Sequence, residues 1–328
     1  MADSPLRILI NGWFWGQSTT GSGQYLHRLV EHLAQMETST RFTLLTPKGR
    51  DRGSGTGDWD TESPIPSPQS PISNLQSPIP SLPRQLAKLY WEQIAVPAAA
   101  RRLGADVLFV PYWAAPFWQP IPTVVTVHDL IPLLLPVYRG GTLNRLYTGL
   151  VSRTARRAAA VITVSQAGAR DVTTHLSIPS TRVFPVHHGP NVAESASQER
   201  STSYAIRTKY ALPARYFLYL GGFDARKNVE GILAAYRRYL DKGGDPAVKL
   251  VLAGKLPGRD TDFFPDPRRM AAALNLDEQI HYAGWVDEAD KPALYAGATA
   301  YLFPSQYEGF GMMLLEAMAA GCPVITSR

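Results

Sequence analysis

The chain has 328 residues, of which 45% are apolar and 18% are charged. This balance excludes global disorder, and the length predicts two domains of ordinary size. Cys322 is the only cysteine, so an intramolecular disulfide is excluded, and no apolar run reaches the about 18 residues that a membrane-spanning helix requires. The net charge of +6 favours anionic partners, such as nucleotides or a lipid surface.

Short strand-like runs alternate with helix-like stretches in the first half of the chain. Leu6–Ile10 reads as a first strand rather than a secretory signal, which predicts a cytoplasmic protein. Ser22–Gln35 then carries apolar residues at helical spacing. Further short β-rich runs are Asp106–Val110, Thr123–Val127 and Val161–Val164. This alternation predicts a parallel sheet covered by helices.

One segment has a composition unlike the rest. Gly53–Pro83 is rich in Ser, Pro, Gly and Gln, and it contains the string SPIPS at Ser63–Ser67 and again at Ser77–Ser81. Prolines block both helices and strand ladders, and this composition cannot bury a core. The sequence therefore predicts a disordered surface insertion of about thirty residues.

Positive charge is concentrated between Leu130 and Arg170, a stretch with six arginines and no acidic residue. If Thr142–Ala160 is one helix, four of these arginines fall within about 120° of one helix face. They are Arg145, Arg153, Arg156 and Arg157. One interpretation is a solvated face, and the other is a patch that contacts the headgroups of an anionic membrane.

The alternation resumes in the second half. Tyr216–Leu220 predicts a strand followed by a helix at Val229–Leu240. Val248–Ala253 and Ala300–Phe303 predict further strands, and Met312–Ala320 predicts a helix. The polar stretch before this half predicts a boundary between a first domain, residues 1–195, and a second, residues 196–328.

The densest chemical signal lies near the C-terminal end. The turn Glu308-Gly309-Phe310-Gly311 follows a predicted strand and opens a helix, whose free N–H groups and dipole favour an anion. Seven residues separate Glu308 from Glu316. One carboxylate can lie beside a bound phosphate while the other reaches a diol such as ribose. The alternative is a pair of surface glutamates.

A second signal is the segment Gly221–Asn228, which reads GGFDARKN and follows a predicted strand. It lies at the carboxyl edge of a parallel sheet, where doubly wound folds bind ligands. Arg226 and Lys227 can neutralise a diphosphate there. A G-x-G-x-x-G fingerprint of dinucleotide-dependent oxidoreductases is absent from the sequence. The alternative is a solvated helix start.

Aromatic residues also cluster after predicted strands. One group follows the first strand, and another follows Asp106–Val110. They are Trp13, Phe14 and Trp15, and then Tyr112, Trp113, Phe117 and Trp118. Such rings suit sugar or lipid acceptors, and the alternative is packing within the loops.

These segments resemble the retaining glycosyltransferases of the GT-B fold, family 4, also called glycosyl transferases group 1. In the second half the resemblance lies in GGFDARKN, VKLVLAG and GWVDEADKPALYAGATAYLFPSQYEGFGMMLLEAMAAGCPVI. In the first half it lies in Gly21–Tyr25, Val127–Leu130 and VITVSQAGARDV. The implied fold is α/β: two Rossmann-like, doubly wound parallel-sheet domains that face a cleft. The first domain would bind the acceptor and the second the nucleotide sugar.

The resemblance implies roles at matching positions. Arg226 and Lys227 would hold the diphosphate of the donor, and Glu316 would bind the ribose hydroxyls. Glu308 and the backbone of Phe310–Met313 would contact the donor sugar and its phosphate. Fixed cations and a helix start would stabilise the charge that develops on the leaving diphosphate.

The remaining implied roles lie in other loops. His128 would reach the transferred sugar, and Gly21 and Gly23 would let the first loop approach the phosphate and the acceptor. The base would lie against Trp285 and Val286. The predicted catalytic residues are therefore His128, Arg226, Lys227 and Glu308. The predicted donor-binding residues are Gly21, Gly23, Arg226, Lys227, Trp285, Val286, Glu308, Gly309, Phe310, Gly311, Met312, Met313 and Glu316.

The resemblance implies no metal and no cofactor beyond the nucleotide-diphosphate sugar itself. Two Asp-x-Asp strings do occur, Asp58-Trp59-Asp60 and Asp260-Thr261-Asp262. Such pairs can hold a hard cation beside phosphates. We interpret both strings as solvated acids. Nucleic acid is not expected as a partner, because the cations lack the interleaved aromatic residues of a binding module.

The sequence thus predicts a metal-independent hexosyltransferase that acts on a glycan or lipid-linked acceptor in polysaccharide biosynthesis. Mannose is the working hypothesis for the hexose, from the segment Val127–Leu130. Relatives continue beyond the equivalent of Arg328, so the second domain is expected to lack its final elements. Two alternatives remain: a non-catalytic nucleotide-sugar-binding remnant, and a sugar-nucleotide epimerase of the same architecture.

Overall fold

The computed structural model describes residues 4–17, 20–48, 71–189 and 201–327. The chain divides into two compact units. The first unit comprises Met1–Leu133 and Arg139–His187, and the second comprises Leu134–Tyr138 and His188–Arg328. The predicted boundary between residues 195 and 196 lies outside the described residues and stays a prediction.

The first unit is built on one parallel sheet. Its strands are β1 (Arg7–Asn11), β2 (Arg41–Pro47), β3 (Ile72–Ser77), β4 (Val107–Val110), β5 (Thr123–Val127), β6 (Ala160–Thr163) and β7 (Val183–Pro185). Over the described residues this sheet has seven strands in the order β3-β2-β1-β4-β5-β6-β7. The chain leaves β1 towards β2 and leaves β4 towards β5, in opposite directions, so the switch point of this sheet lies between β1 and β4.

Helices connect these strands. They are α1 (Gly21–Gln35), α2 (Arg84–Tyr90), α3 (Val96–Arg102), α4 (Ile131–Leu134), α5 (Thr142–Ala155) and α6 (Gln166–Leu176). The apolar stripe of α1 explains its position, because Leu26 and Val30 pack with Ile10 and Leu44 of the sheet in one buried cluster. Among the described helices, none is long and apolar enough to cross a bilayer.

The second unit has a smaller parallel sheet. Its strands are β8 (Arg215–Leu220), β9 (Val248–Ala253), β10 (Ile280–Gly284), β11 (Ala300–Phe303) and β12 (Val324–Thr326). In the described part of the chain these form five strands in the order β10-β9-β8-β11-β12. The helices are α7 (Ser201–Lys209), α8 (Val229–Asp241), α9 (Pro267–Ala273), α10 (Lys291–Gly297) and α11 (Met312–Ala319).

Alternate side chains of β8 enter different cores. Tyr216, Leu218 and Leu220 join one buried cluster, while Tyr219 joins the other. A parallel strand buried on both faces needs this continuous apolar sequence, because helices cover both sides of the sheet. The two sheets confirm the predicted α/β class of two Rossmann-like domains.

Part of the predicted disordered insertion is wrong. Ile72–Ser77 forms β3 and pairs in parallel with β2, with Ile72 opposite Phe42. The hydroxyl of Thr46 also donates to the side-chain oxygen of Asn74 at 3.1 Å. Pairing with a preformed edge strand outweighs a composition that disfavours strands. Residues 53–70 of the predicted insertion lie outside the described residues.

The predicted helix at Thr142–Ala160 is also too long. Helix α5 ends at Ala155, because the chain must turn to start β6 at Ala160 beside β5. Arg156 and Arg157 therefore follow the helix, and the four arginines do not share one helical face. The Nε of Arg156 donates to the carbonyl of Leu176 at 2.7 Å, and Arg157 lies over the ring of Phe117.

A buried polar network lies at the switch point of the first unit. The side chain of Asn11, at the end of β1, donates to the hydroxyl of Tyr112, just after β4, at 2.9 Å. The Oδ1 of Asn11 accepts from the indole N–H of Trp91 at 2.8 Å. Trp91 begins a π-helical turn, Trp91–Ala95, that joins α2 to α3. This turn places the next residue, Glu92, inside the unit.

Glu92 is fully buried and forms an ion pair with Lys88, with 2.5 Å between Oε1 and Nζ. The hydroxyl of Tyr147 donates to the same carboxylate at 3.0 and 3.1 Å. Burial raises the pKa of the Glu92 carboxyl, and the charge of Lys88 opposes that rise. These partners hold the buried carboxylate in place. Removing it would leave the ammonium of Lys88 without a negative partner.

Glu92→Ala should lower the free energy of unfolding by about 3–5 kcal/mol, because it leaves Lys88 without its carboxylate in a mostly buried position. Chemical denaturation, monitored by tryptophan fluorescence, measures the change in the free energy of unfolding. Glu31→Ala is the matched control, since it breaks the exposed pair of Arg28 and Glu31 at 3.0 Å and should cost far less. Equal losses in the two variants would contradict the role assigned to the buried pair.

Candidate functional site

The candidate site of the second unit lies where β8 and β11 end side by side. β9 and β10 extend from one side of β8, while β11 and β12 extend from the other. The loops after β8 and β11 therefore separate at the switch point of the sheet, which is where doubly wound folds bind ligands. The segment with Arg226 follows β8, and the turn with Glu308 follows β11.

Close backbone packing fixes the loop after β8. A Cβ at Gly254, which has φ +135°, would lie 2.1 Å from the carbonyl oxygen of Gly221, so this position requires glycine. The N–H of Gly221 donates to the carbonyl of Ala253 at 3.0 Å. The hydroxyl of Tyr219 donates to the carbonyl of Gly222. The strand end thus sets the direction of the segment that follows it.

A short 3₁₀ turn, Ala225–Lys227, then presents the two cations. The carbonyl of Arg226 accepts from the N–H of Gln306 at 2.8 Å, which ties this turn to the loop after β11. Asn228 follows in the left-handed region, with φ +55°, and its Oδ1 caps α8 by accepting from Gly231 N at 3.2 Å. Its Nδ2 donates to the carbonyl of Pro304 at 3.2 Å, a second tie between the loops.

One carboxylate contacts both cations. The Nζ of Lys227 lies 2.7 Å from Oε1 of Glu308, and Nη1 of Arg226 contacts Oε2 of the same side chain. Nη1 of Arg226 also donates to the carbonyl of Tyr307 at 3.1 Å. The side chains of Arg226 and Lys227 are each 13% exposed and that of Glu308 is 19% exposed, so the cluster is mostly screened from water without being sealed.

A fourth charge, Asp224, lies on the other side of Arg226. Its Oδ1 is 3.4 Å from Nε of Arg226. Burial alone would lower the pKa of Arg226, but Glu308 and Asp224 outweigh it and raise the pKa, so the guanidinium stays charged. The four side chains together carry no net charge. An anion with more negative charge than Glu308 can compete with that carboxylate for the two cations.

The turn after Glu308 leads into α11. Gly311, with φ +100°, precedes the first helical residue, Met312, and has no side chain to cap the helix. The side chain of Met313 packs against the core, where its sulfur accepts from the hydroxyl of Tyr301 at 3.5 Å. The ring of Phe310 meets that of His188 edge-on, with centroids 5.2 Å apart.

Glu316 lies on the second turn of α11 and is half-buried. Its Oε2 accepts from the hydroxyl of Tyr295, a buried residue of α10, at 3.3 Å. Burial raises the pKa of the Glu316 carboxyl, and the charge of Lys291 opposes that rise. The phenol therefore holds one carboxylate oxygen in position.

Trp285 and Val286 follow β10 at the same carboxyl edge of the sheet. The carbonyl of Gly284, which has φ +72°, accepts from the N–H of Gly254 at 2.7 Å. The Trp285 side chain is 68% exposed, whereas Val286 is buried in the core. The indole of Trp285 is thus a ring that a flat base can stack on, while Val286 anchors the loop.

His128 lies in the first unit, directly after β5. Its Nε2–H donates to the carbonyl of Pro111 at 3.0 Å, and the ring of Tyr25 meets the imidazole edge-on at 4.7 Å. Burial lowers the pKa of His128, which favours the neutral imidazole. Since Tyr25 belongs to α1, the structure places His128 beside the helix that the glycine-rich segment opens.

The two glycines of that segment differ. A Cβ at Gly23 would lie 1.9 Å from the carbonyl oxygen of Gln17, so glycine is required there by the packing of the chain itself. The hydroxyl of Thr20 also accepts from the N–H of Gly23 at 3.1 Å and caps α1. A Cβ at Gly21 would meet nothing within 4 Å, so this position leaves space at the helix start.

The structure brings Arg226, Lys227 and Glu308 into direct contact, and it places Trp285 at the same sheet edge. The sequence analysis missed two supporting residues, Asp224 beside the cations and Tyr295 beside Glu316. Asp224 stands within GGFDARKN, so its position beside the cations was visible in the sequence. Tyr295 gave no signal, because nothing along the chain indicates which buried tyrosine reaches Glu316.

The described Asp-x-Asp string, Asp260-Thr261-Asp262, has contacts of its own. Asp260 forms an ion pair with Arg269 at 2.8 Å and accepts from the N–H of Asp266 at 2.8 Å. Asp58-Trp59-Asp60 lies outside the described residues. Within the described ranges, no group of three or more His, Cys, Asp or Glu side chains is arranged to hold a metal ion.

Two curated relatives of this chain are named as mannosyltransferases. O-antigen chain mannosyltransferase B of Escherichia coli is 28% identical over 206 residues, which are 62% of this chain and 52% of that protein. Serotype-specific mannosyltransferase WbdA of Escherichia coli is 31% identical over 220 residues, which are 64% of this chain and 26% of that protein. The matched region therefore spans about half of the first relative and about a quarter of the second.

Solved structures match more of the chain. HepE of Anabaena, in a complex with UDP, has a TM-score of 0.66 at 18% identity and covers 98% of this chain and 80% of its own. Sucrose-phosphate synthase of Thermosynechococcus elongatus has a TM-score of 0.64 at 20% identity, with coverage of 98% and 81%. These likenesses confirm the GT-B type of fold.

Family models match both halves of the chain. The model described as glycosyl transferases group 1 matches residues 205–328, which include the whole Arg226, Lys227 and Glu308 cluster. The model of Glycosyltransferase Family 4 matches residues 19–194, more than half of the chain and including Gly21, Gly23 and His128. On these matches, the chain belongs to Glycosyltransferase Family 4.

Proposed function

We propose that this protein is a retaining glycosyltransferase that moves a hexose from a nucleotide-diphosphate sugar to a glycan or glycolipid acceptor. The main support is the contact between Arg226, Lys227 and Glu308 at the switch point of the second sheet. Two adjacent cations held there by a single carboxylate form a site that suits a ligand with more than one negative charge.

The diphosphate is the part of the donor that fits this cluster. It carries more negative charge than Glu308 and offers several oxygens to the forked guanidinium of Arg226 and the ammonium of Lys227. Cations already fixed in place stabilise the charge that develops as the sugar–phosphate bond breaks. We assign Glu308 to ordering the cations and contacting the donor sugar, together with the backbone of Phe310–Met313.

The nucleoside would extend from the diphosphate along the same sheet edge. Glu316 is proposed to accept hydrogen bonds from the ribose hydroxyls, since Tyr295 already holds its carboxylate. The exposed indole of Trp285 is proposed to stack on the base. His128 and the glycines at 21 and 23 are proposed to act on the sugar side, because the structure gathers them at one end of the first sheet.

Mannose is the hexose that we propose. Support comes from the two Escherichia coli relatives, whose names specify mannosyl transfer, one of them to O-antigen chains. That name also supports a growing polysaccharide as the acceptor. The exposed rings of Phe117 and Trp118 in the first unit offer apolar surface that suits a sugar or a lipid carrier.

Transfer itself is tested with radiolabelled GDP-mannose and UDP-glucose in the presence of a mannan acceptor. Label in the polysaccharide is the expected result. Conversion of the donor sugar without an acceptor would instead indicate an epimerase. Binding of the nucleotide without either reaction would indicate a non-catalytic remnant.

Lys227→Ala should weaken the binding of UDP or GDP by about 10- to 100-fold, because it removes a charge-assisted contact with the diphosphate. Isothermal titration calorimetry measures the change. Lys249→Ala is the control, since the Lys249 ammonium donates to Glu278 and Gln279 at 3.1 Å near the start of β9, at the other end of the sheet. Unchanged affinity in the Lys227 variant would remove this residue from the donor site.

Glu316→Gln should raise the donor KM more than Glu308→Gln does. The first change weakens an acceptor of ribose hydroxyl bonds, whereas the second removes a carboxylate that competes with the diphosphate for two cations. Steady-state kinetics with the donor that the wild-type enzyme uses gives both values. The reverse order of KM values would contradict the ribose role of Glu316.

We also propose that the first unit binds an anionic membrane surface from the cytoplasmic side. Leu143 and Leu146 on α5 are 74% and 67% exposed, and Arg145 and Arg153 are exposed on the same helix. Apolar side chains beside cations are typical of peripheral helices that insert at the headgroup level. Arg156 and Arg157 would add charge from the turn that follows.

Arg145→Gln combined with Arg153→Gln should reduce sedimentation with vesicles of phosphatidylcholine and phosphatidylglycerol, because each arginine contributes about 1 kcal/mol near an anionic surface. Leu143→Ser should reduce it further. Arg237→Gln, which removes a partly exposed cation of α8, is the control. Equal sedimentation of all variants would contradict membrane binding by these arginines and would favour the interpretation as a solvated face.

A further inference from the structure

Tyr138 lies 86 residues before Asp224 in the chain, yet it belongs to the second unit. It ends a short 3₁₀ turn, Pro136–Tyr138. Its ring packs against that of Phe263, with centroids 4.6 Å apart. The side chain is therefore held in one position beside the loop that follows β8.

The hydroxyl of Tyr138 makes two hydrogen bonds to this loop. It donates to Oδ1 of Asp224, and it accepts from the backbone N–H of Arg226 at 3.1 Å. Arg226 is the second residue of a 3₁₀ turn, where the backbone N–H groups have no carbonyl of the same turn to bond. Tyr138 satisfies this N–H and engages the neighbouring carboxylate with the same oxygen atom.

The bond to Asp224 limits how strongly that carboxylate attracts Arg226. The Oδ1 that accepts from Tyr138 is 3.4 Å from Nε of Arg226, and in the described part of the chain this buried Nε makes no hydrogen bond. Without the phenol, Asp224 would lack a neutral donor, and Nε of Arg226 is the nearest replacement. The guanidinium would then turn towards Asp224 and away from Glu308.

The phenol keeps its proton across the physiological range. Burial, followed by the bond to Asp224, raises the pKa of Tyr138 to about 12. The hydroxyl is thus a permanent donor to Asp224, and it adds no charge of its own to the cluster.

We propose that Tyr138 is a positioning residue for the diphosphate site: it occupies Asp224 and holds the backbone of Arg226, so that the guanidinium stays directed to Glu308 and Tyr307. This inference rests on the function proposed above, because it assumes that Arg226 receives the diphosphate of the donor. Tyr138 acts through Arg226 and need not touch the substrate.

The role predicts an effect that depends on the number of phosphates. Tyr138→Phe keeps the ring that packs on Phe263 but removes both hydrogen bonds. It should weaken the binding of UDP about 10-fold, the effect of one misdirected charge-assisted bond, and change that of UMP by less than about 2-fold. Calorimetry on the full chain with UDP and UMP, and with GDP and GMP, measures the ratio of the two affinities.

Two further variants separate positioning from a general loss of packing. Tyr236→Phe is the matched control, because it removes a buried phenol that donates to the carbonyl of Val248 at 2.8 Å, in another part of the unit. It should leave the ratio of affinities unchanged. Asp224→Asn in the Tyr138→Phe background should restore most of the UDP affinity, since it removes the charge that attracts Arg226.

The outcomes distinguish this inference from the proposed function. If the wild-type chain binds neither diphosphate, the proposed function fails and this inference fails with it. If the wild-type chain binds UDP or GDP and Tyr138→Phe keeps the same ratio of affinities, only the role of Tyr138 is overturned. A ratio that falls but does not recover with Asp224→Asn would also overturn it, because the loss would then not arise through Asp224.

Discussion

The second unit depends on one electrostatic constraint: two neighbouring cations, Arg226 and Lys227, must be held together at a strand end without repelling each other. Glu308, which follows the adjacent strand, resolves this by accepting from both side chains. Much of the surrounding structure serves this contact. Asn228 and Gln306 bond the two loops to each other, which holds the carboxylate next to the cations.

The first unit has the same architecture but different charged side chains at its switch point. Its carboxylate, Glu92, is fully buried and paired with one cation, Lys88, inside a network of phenols and an indole. Both clusters are neutral overall, so net charge does not distinguish them. The first unit pairs one cation with a fully buried carboxylate, whereas the second places two adjacent cations on the shared carboxylate Glu308. The two units therefore share a fold but differ in the charged groups at their switch points.

The sequence predicted what local patterns determine and missed what distant contacts determine. The buried runs of β5 and β8 and the segment GGFDARKN were recognisable, because parallel strands buried on both faces are continuously apolar and their ends carry the functional loops. β3 was missed, since Ile72–Ser77 becomes a strand only by pairing with β2. Tyr138 was missed for a similar reason: its partners are distant in the chain, and only the folded unit brings them together.

The geometry of Glu308 bears on its chemistry. Each of its carboxylate oxygens already accepts from a cation, Oε1 from Lys227 and Oε2 from Arg226. A carboxylate whose charge is shared between two cations is a weak nucleophile, because attack would require it to leave both partners. Glu308 is therefore better suited to keeping the cations in position than to attacking the sugar.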